Sequence, residues 1–189
     1  MQERGARDAR SRDRVFVPRS QLLSSDDVTR AVRRMAHEVV EHVRDIDRVV
    51  VIGLQTGGVA FCDRLTSDLG EIASTSLRKG YLDVAFYRDD LARNPAPRPA
   101  STSIDFDLTD QTVVIVDDVL FTGRTVRAAL NALTDWGRPR AVQLAVMVDR
   151  GHRELPIRPD YVGKNLPTSL DEAIIATLDG VWIGTREAT

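Results

Sequence analysis

Two adjacent carboxylates, Asp117 and Asp118, stand in the stretch VVIVDDVLFTGRT, which covers residues 113–125. The apolar residues before them indicate a buried strand, and RTVRAALNALTDWG after them has the pattern of a helix. Carboxylates at the end of a strand suit the vicinal hydroxyls of a sugar, which are hydrogen-bond donors, or a divalent cation. A solvated Asp-Asp turn followed by a helix cap is the alternative interpretation of the two acids alone.

The loop between this strand and helix has the composition of a phosphate site. Backbone N–H groups at a helix N-terminus point at an anion, and the hydroxyls of Thr122 and Thr125 can donate to its oxygens. Gly123 permits close approach of the backbone. The patterns GxxxxGK[ST] and GxGxxG, typical of nucleotide triphosphatases and dinucleotide sites, are absent from this stretch. Phosphate in the loop and sugar hydroxyls on the acids together predict a ribose 5-phosphate ligand.

Strands that alternate with helices must position these residues. RVVVIGL, TVVIVDD and AVQLAVMVD have the continuous apolar character of buried strands, and GVWIG indicates a short last strand. A helix is expected around residues 60–69, and Gly137 ends the helix that follows the acids. This order predicts an α/β fold with an open, mostly parallel sheet and helices on both faces. Ligands bind such sheets at the C-terminal ends of the strands, where both acids lie.

The clearest helix is SSDDVTRAVRRMAHEVVEHVRD, with Ser24 or Ser25 as its N-cap. Its apolar stripe at helical spacing consists of Val28, Val32, Met35, Val39 and Val43. YLDVAFYRDDL, residues 81–91, predicts a strand that ends in an acidic turn. The proline-containing segment ARNPAPRPASTS then indicates a mobile loop, or a hairpin with a long flexible tip.

The length, composition and charge of the chain limit the functions that it can have. The chain has 189 residues, 42% of them hydrophobic, and we expect a charged tail over 1–14 and one domain over 15–189. Its net charge of −2 gives no global attraction for nucleic acid. The single cysteine, Cys62, excludes an internal disulfide and is consistent with a cytoplasmic protein. No apolar run approaches the roughly 20 residues that span a bilayer, so no membrane role is expected.

VVIVDDVLFTGRT resembles the binding signature for 5-phosphoribosyl 1-pyrophosphate (PRPP) in type I phosphoribosyltransferases. The stretch GRPRAVQLAVMVDRGHRELPIRPDYVGKNLPTS is similar, almost residue for residue, to the PyrR family, and RMAHEVVE and YRDDL match the same family. The resemblance runs from about residue 20 to the C-terminus. It implies a type I phosphoribosyltransferase fold with a small hood and a flexible loop, Mg²⁺ as cofactor, and PRPP, uracil and UMP or UTP as ligands.

The resemblance also implies the site residues. PRPP is expected to contact Asp117, Asp118, Val119, Leu120, Phe121, Thr122, Gly123, Arg124 and Thr125. The pyrophosphate loop is expected to be Gly53, Leu54, Gln55, Thr56, Gly57 and Gly58, and the base is expected to meet Val148, Asp149 and Arg150. Asp117, Asp118 and Arg88 are the expected catalytic residues, and the two acids meet Mg²⁺ mostly through PRPP and water.

Two of these assignments have ordinary alternatives. GLQTGG could be a plain strand-to-helix turn, and some family members carry arginine where Gly57 stands. The segment around Arg88, implied to close over PRPP as a catalytic hood, could be a solvated acidic turn. A cation that contacts pyrophosphate must come from outside GLQTGG in this chain.

A second function, binding of messenger RNA, is implied for basic residues. The expected RNA contacts are Arg33, Arg34, His37, His152, Arg153, Arg158 and Lys164. From charge alone a solvated surface is the simpler interpretation, and the basic N-terminal segment could be a tail or an arm that touches RNA or a neighbouring subunit.

We therefore predict a uracil phosphoribosyltransferase that forms UMP and pyrophosphate. It also regulates pyrimidine genes by binding the operon's mRNA leader in a nucleotide-dependent way, as a homodimer or higher homo-oligomer. Two alternatives stay open. The pocket could only sense nucleotides for an RNA-binding regulator, or the enzyme could use another base.

Overall fold

The computed structural model describes residues 14–87 and 102–188. The strands are β1 (Arg14–Ser24), β2 (Val49–Leu54), β3 (Arg78–Leu82), β4 (Thr112–Leu120), β5 (Ala141–Asp149), β6 (Tyr161–Asn165), β7 (Glu172–Thr177) and β8 (Gly180–Ala188). The helices are α1 (Ser25–His42), α2 (Gly58–Ala73) and α3 (Arg124–Leu133), with short 3-10 turns at Ile46–Arg48, Ala85–Tyr87 and Thr134–Trp136.

The central sheet has five parallel strands in the order β3-β2-β4-β5-β6. The middle strands are apolar because both of their faces are covered; every residue of β2 is buried. Alternate residues face opposite cores: Val51 packs on the side of α1 and α2, and Ile52 packs on the side of α3. The predicted sheet with helices on both faces is confirmed.

Helix α1 begins with a capping box. Asp27 N donates to Ser24 Oγ at 3.2 Å, and Ser24 N donates to Asp27 Oδ2 at 2.9 Å. The predicted stripe is buried along the helix, except that Val43 follows the last helical residue and is half-buried.

A second, antiparallel sheet of three strands, β1-β8-β7, was not predicted as a unit. β1 was missed because most of its residues are exposed, so the apolar-polar alternation of a half-buried strand is lacking. β7 was also missed, and β8 extends four residues beyond the predicted GVWIG. Ile174, Ala176 and Val181 of this sheet join the core on the α1 side. The small sheet therefore packs against the large one, whereas the implied hood was expected around Arg88, outside the described residues.

Two further sequence predictions need correction. The strand expected over 81–91 ends at Leu82, because Asp83 Oδ1 accepts a hydrogen bond from Ala85 N at 2.8 Å and turns the chain. β6 has no counterpart among the strands predicted from the sequence.

The proline-containing segment falls mostly outside the described residues, but its two ends are held together. Tyr81 and Ser103 form an antiparallel bridge with N–O distances of 2.9 and 2.8 Å. Asp83 N also donates to Thr102 Oγ1 at 3.1 Å. The chain therefore returns to the end of β3 at Thr102 and Ser103, and both interpretations of the segment stay predictions. The predicted tail, apart from Arg14 at the start of β1, also lies outside the described residues.

No helix within the two described ranges is long and apolar enough to cross a membrane.

Candidate active site

The predicted loops emerge at one edge of the central sheet. β2 and β4 are paired through Gly53 and Val116, and β4 and β5 are paired through Leu120 and Asp149. Because the three strands are parallel and adjacent, GLQTGG, DDVLFTGRT and VDR leave the sheet on the same side. The residues expected to contact pyrophosphate, ribose phosphate and base are therefore neighbours in space.

The two acids have different environments. Asp117 is 8% exposed, and its Oδ1 accepts a hydrogen bond from Asp118 N at 3.0 Å. Burial and the neighbouring charge of Asp118 raise the pKa of the Asp117 carboxyl well above its usual value. Asp118 instead lines an open cleft of about 650 Å³. Asp118 is thus the carboxylate placed to meet a ligand, and Asp117 is placed to support it.

GLQTGG packs directly against these acids. Its first two residues, Gly53 and Leu54, belong to β2, and Gln55 N donates to Leu82 O at 3.0 Å. A Cβ on Gly57 would lie 2.3 Å from Asp118 Cγ. A Cβ on Gly58 would lie 2.2 Å from the Val116 carbonyl oxygen. Gly58 is therefore required by its close approach to backbone, whereas a side chain at Gly57 would have to displace the Asp118 carboxylate, which the N-terminal end of α2 faces.

The predicted PRPP loop is built as a strand-to-helix turn. Gly123 has a φ of +89°, which glycine adopts without strain, and α3 begins at the next residue. Thr122 Oγ1 accepts a hydrogen bond from Arg124 N at 3.4 Å, and Thr122 O accepts one from Glu154 N at 3.0 Å. The Arg124 guanidinium forms an ion pair with Glu154 at 2.7 Å. Thr125 lies in the first turn of α3. The remaining predicted contacts are Val119 and Phe121, which line the cleft, and the buried Leu120.

Arg150, predicted to contact the base, connects the PRPP loop to the small sheet. Its guanidinium lies 4.3 Å from the centroid of the Phe121 ring. It donates to Thr168 Oγ1, Ser169 O and Glu172 O at 3.0, 3.0 and 2.7 Å. Of the other two predicted base contacts, Val148 is fully buried, and Asp149 forms an ion pair with Arg153 at 2.5 Å. Arg150 is thus the member of the set that reaches the cleft.

The predicted RNA contacts fall into two groups. In the first, Arg34 and Lys164 line a groove of about 610 Å³ between α1 and β6, together with Arg30. Arg34 also donates to Val162 O and Gly163 O at 2.9 and 2.7 Å.

Exposed residues flank this groove group. His37 lies on the same helix and is exposed, as is Arg158 on the loop before β6. Arg33 forms an ion pair with Glu71 at 2.5 Å.

The second group contacts the PRPP loop rather than solvent. Arg153 is largely buried and donates to Phe121 O at 2.6 Å and to Ile157 O at 3.0 Å. The His152 ring packs on the edge of Phe121, 5.8 Å between centroids, and its Nε2 lies 2.5 Å from Thr168 O. These contacts hold the loop in place, and the predicted contact of both residues with RNA stays a prediction.

Sequence reasoning missed the wall of the cleft that the small sheet supplies. Leu170, Asp171, Thr185 and Arg186 line the same cleft as Asp118. No signal in the sequence pointed to them, because β7 and most of β8 were not predicted. Arg88, the third expected catalytic residue, lies outside the described residues.

The described residues fit Mg²⁺ bound mainly by substrate. They include no group of three or more acidic, histidine or cysteine side chains that could hold a metal ion. Mg²⁺ commonly keeps several waters and uses one or two carboxylates plus substrate phosphates. Asp118 is available for this purpose at the cleft, whereas burial favours the neutral form of Asp117.

Comparison with known proteins identifies the class of protein to which this fold and site belong. Residues 18–178 match the family model described as phosphoribosyl transferase domain. Hypoxanthine phosphoribosyltransferase of Staphylococcus aureus superposes with a TM-score of 0.67 at 18% identity, over 90% of this chain and 93% of that one. The Trypanosoma cruzi enzyme of the same name gives a TM-score of 0.69 at 17% identity, over 90% and 98%. The protein has the phosphoribosyltransferase fold.

Closer relatives identify the family. The bifunctional protein PyrR of Deinococcus radiodurans is 52% identical over 163 residues, which is 85% of this chain and 88% of the relative. The Streptomyces coelicolor protein of the same name is 52% identical over 174 residues, 88% and 90% of the two chains. The chain belongs to the PyrR family.

Gly57→Ala should lower activity without unfolding the protein, because the new methyl group displaces only the Asp118 carboxylate. We expect kcat/KM for PRPP to fall about tenfold or more, with Tm within about 2 °C of wild type. Gly58→Ala is the matched control, since its methyl group meets backbone. It should lose about 2 kcal/mol, or about 4–8 °C in Tm. Kinetics and thermal unfolding check both. An active Gly57→Ala protein would contradict the assigned contact.

Asp117→Asn should raise Tm at pH 8 by several degrees. The folded chain holds the Asp117 proton more tightly than the unfolded chain, so the stability from this group is lost as pH rises above its ordinary pKa of 3.8. The amide keeps the acceptor for Asp118 N and removes the buried charge. The difference in Tm between the two proteins should therefore shrink as pH falls towards 4, as thermal unfolding at several pH values would show. A variant less stable than wild type at pH 8 would contradict the raised pKa.

Proposed function

We propose that the protein transfers the phosphoribosyl group of PRPP to uracil, which yields UMP and pyrophosphate. One observation carries the proposal. The GLQTGG loop, the Asp118 carboxylate and the strand that leads to the PRPP loop are in direct contact, so one ligand can span all of them. Membership of the PyrR family, whose curated relatives are named bifunctional proteins, supports both this activity and a second one.

The reaction needs no covalent nucleophile from the protein. In the proposal, the first turn of α3 holds the 5-phosphate, Asp118 accepts hydrogen bonds from the ribose hydroxyls, and backbone N–H groups at the start of α2 face pyrophosphate. A bond forms between the base nitrogen and the anomeric carbon as the bond from that carbon to pyrophosphate breaks, and the proton of the nitrogen is released to pyrophosphate or water. The protein's contribution is to position base and ribose and to stabilise the charge on the leaving group.

Mg²⁺ is the proposed cofactor, and it would neutralise the pyrophosphate charge when bound with PRPP. Asp118 would orient the ion mostly through water. Asp117 would fix Asp118 through the hydrogen bond to its backbone N–H. Arg88 remains a proposed pyrophosphate contact.

The second proposed activity is binding of a pyrimidine operon mRNA leader at the groove between α1 and β6. Arg30, Arg34 and Lys164 line this groove against one acid, Asp27. Phosphate contacts from such residues give an affinity that falls as salt rises. A homodimer or higher homo-oligomer would join grooves from several chains into a larger basic surface.

Contacts between the two sites support nucleotide-dependent RNA binding. The segment between β5 and β6 holds the PRPP loop through Arg153 and Phe121 O and through Glu154 and Thr122 O. The same segment leads directly into β6, which carries Lys164. An occupied PRPP loop can therefore alter the groove, provided that nucleotide and RNA favour different arrangements of this segment.

The enzymatic proposal is tested with a panel of bases. Purified protein, PRPP and Mg²⁺ are incubated separately with uracil, orotate, hypoxanthine, guanine and adenine, and the nucleotide formed is measured. Turnover with uracil alone is expected. Turnover with a purine would favour the alternative of another base. A folded protein that binds UMP but uses none of the bases would favour the nucleotide sensor.

The two activities should be separable by a reciprocal pair of variants. Lys164→Glu should weaken RNA binding at least tenfold and leave UMP formation within about twofold, because it lies in the groove. Asp118→Asn should have the opposite pattern. Arg153→Glu should impair both activities because it also breaks the hydrogen bonds to Phe121 O. RNA filter binding and an assay of UMP formation are applied to each variant. If Lys164→Glu and Asp118→Asn each lost both activities to the same extent, the two surfaces would not be separate.

A further inference from the structure

Arg186 of β8 is a cation in the cleft that no other described residue engages. It lines the same cleft as Asp118, next to Thr185 in β8. Its guanidinium makes no hydrogen bond or ion pair with the described part of the chain. Arg150, in the same cleft, uses its N–H groups on Thr168 Oγ1 and Ser169 O of the loop before β7 and on Glu172 O of β7. Arg150 is thus committed to the fold, whereas Arg186 has donors for a ligand.

The position of Arg186 indicates which part of a ligand it meets. Arg186 and Arg150 line the same cleft. Burial lowers the pKa of Arg150, the charge of Glu172 raises it, and that of Arg186 lowers it further. Among the described residues that line the cleft, none belongs to GLQTGG or to Thr122–Thr125. The groups proposed to hold the two phosphates therefore lie beyond this cleft. What enters it is the part of the nucleotide attached to the other side of the ribose, namely the base.

A guanidinium selects among bases because it only donates hydrogen bonds. Uracil presents two carbonyl oxygens, which only accept, whereas cytosine replaces one of them with an amino group that donates. An amino group facing the guanidinium would leave donors opposed to donors, which is a strong source of discrimination in a binding site.

We propose that Arg186 is a specificity-determining residue that donates a hydrogen bond to a carbonyl oxygen of the pyrimidine base. The inference rests on the proposed function, since it assumes that UMP and uracil occupy this cleft. It assigns to the small sheet the role of reading the base, while the large sheet holds the ribose and the phosphates. Arg150 supports this role by fixing the loop before β7 against Phe121.

The test is Arg186→Gln in the full chain, with two independent readouts. In steady-state kinetics, KM for uracil should rise about tenfold, the usual cost of losing one charged hydrogen bond, and KM for PRPP should change less than about twofold. In calorimetric titration, affinity for UMP should fall about tenfold while affinity for ribose 5-phosphate is unchanged. The ligand without a base thus serves as an internal control.

Arg48→Gln is the matched control, because Arg48 is 55% exposed, precedes β2 and, among the described residues, forms an ion pair with Asp45, three residues earlier. It should leave KM for uracil, KM for PRPP and the affinities for UMP and ribose 5-phosphate near their wild-type values. An Arg186→Gln protein with unchanged KM for uracil, or with a raised KM for PRPP instead, would overturn the assignment to the base. A wild-type protein that neither binds UMP nor forms it would overturn the proposed function and this inference together.

Discussion

The site depends on one close approach, that of the N-terminal end of α2 to the end of β4. Gly58 allows the helix to meet the Val116 carbonyl, and Gly57 allows the turn before it to meet the Asp118 carboxylate. Any side chain at these positions would separate the helix from the strand or move the acid. Because of this contact, the positive N-terminal end of α2 lies directly beside the Asp118 carboxylate. In the proposed function each serves a different part of one ligand, the helix end the pyrophosphate and the carboxylate the ribose.

A second set of interactions fixes the other side of the site. Arg150 and Arg153 follow the end of β5, and both contact Phe121 of the PRPP loop. Arg150 stacks on the ring and binds the small sheet, and Arg153 binds the Phe121 carbonyl oxygen. Two arginines that look like surface charges in the sequence therefore join the PRPP loop, the small sheet and the segment before β6. The cost of burying Arg150 is offset by its hydrogen bonds to backbone and hydroxyl oxygens.

The sequence predicts the large sheet well and the small sheet poorly. β2, β4 and β5 are buried on both faces, so their apolar runs are unambiguous, and the acids at the end of β4 mark the ligand edge. β1 is exposed along most of its length and has no such pattern. The sequence consequently does not predict that Arg186 and its neighbours line the cleft. The partners of Arg153 could not be predicted either: composition counts its charge, but it does not show the ion pair with Asp149 or the hydrogen bond to Phe121 O.

The central claim is that these loops form one site for the phosphoribosyl group. Calorimetric titration of the protein with PRPP and Mg²⁺, in the absence and in the presence of saturating UMP, tests it most directly. The account predicts one PRPP bound per chain and mutually exclusive binding, since both ligands place a 5-phosphate at α3 and a ribose at Asp118. Simultaneous binding of PRPP and UMP to the same chain would contradict it.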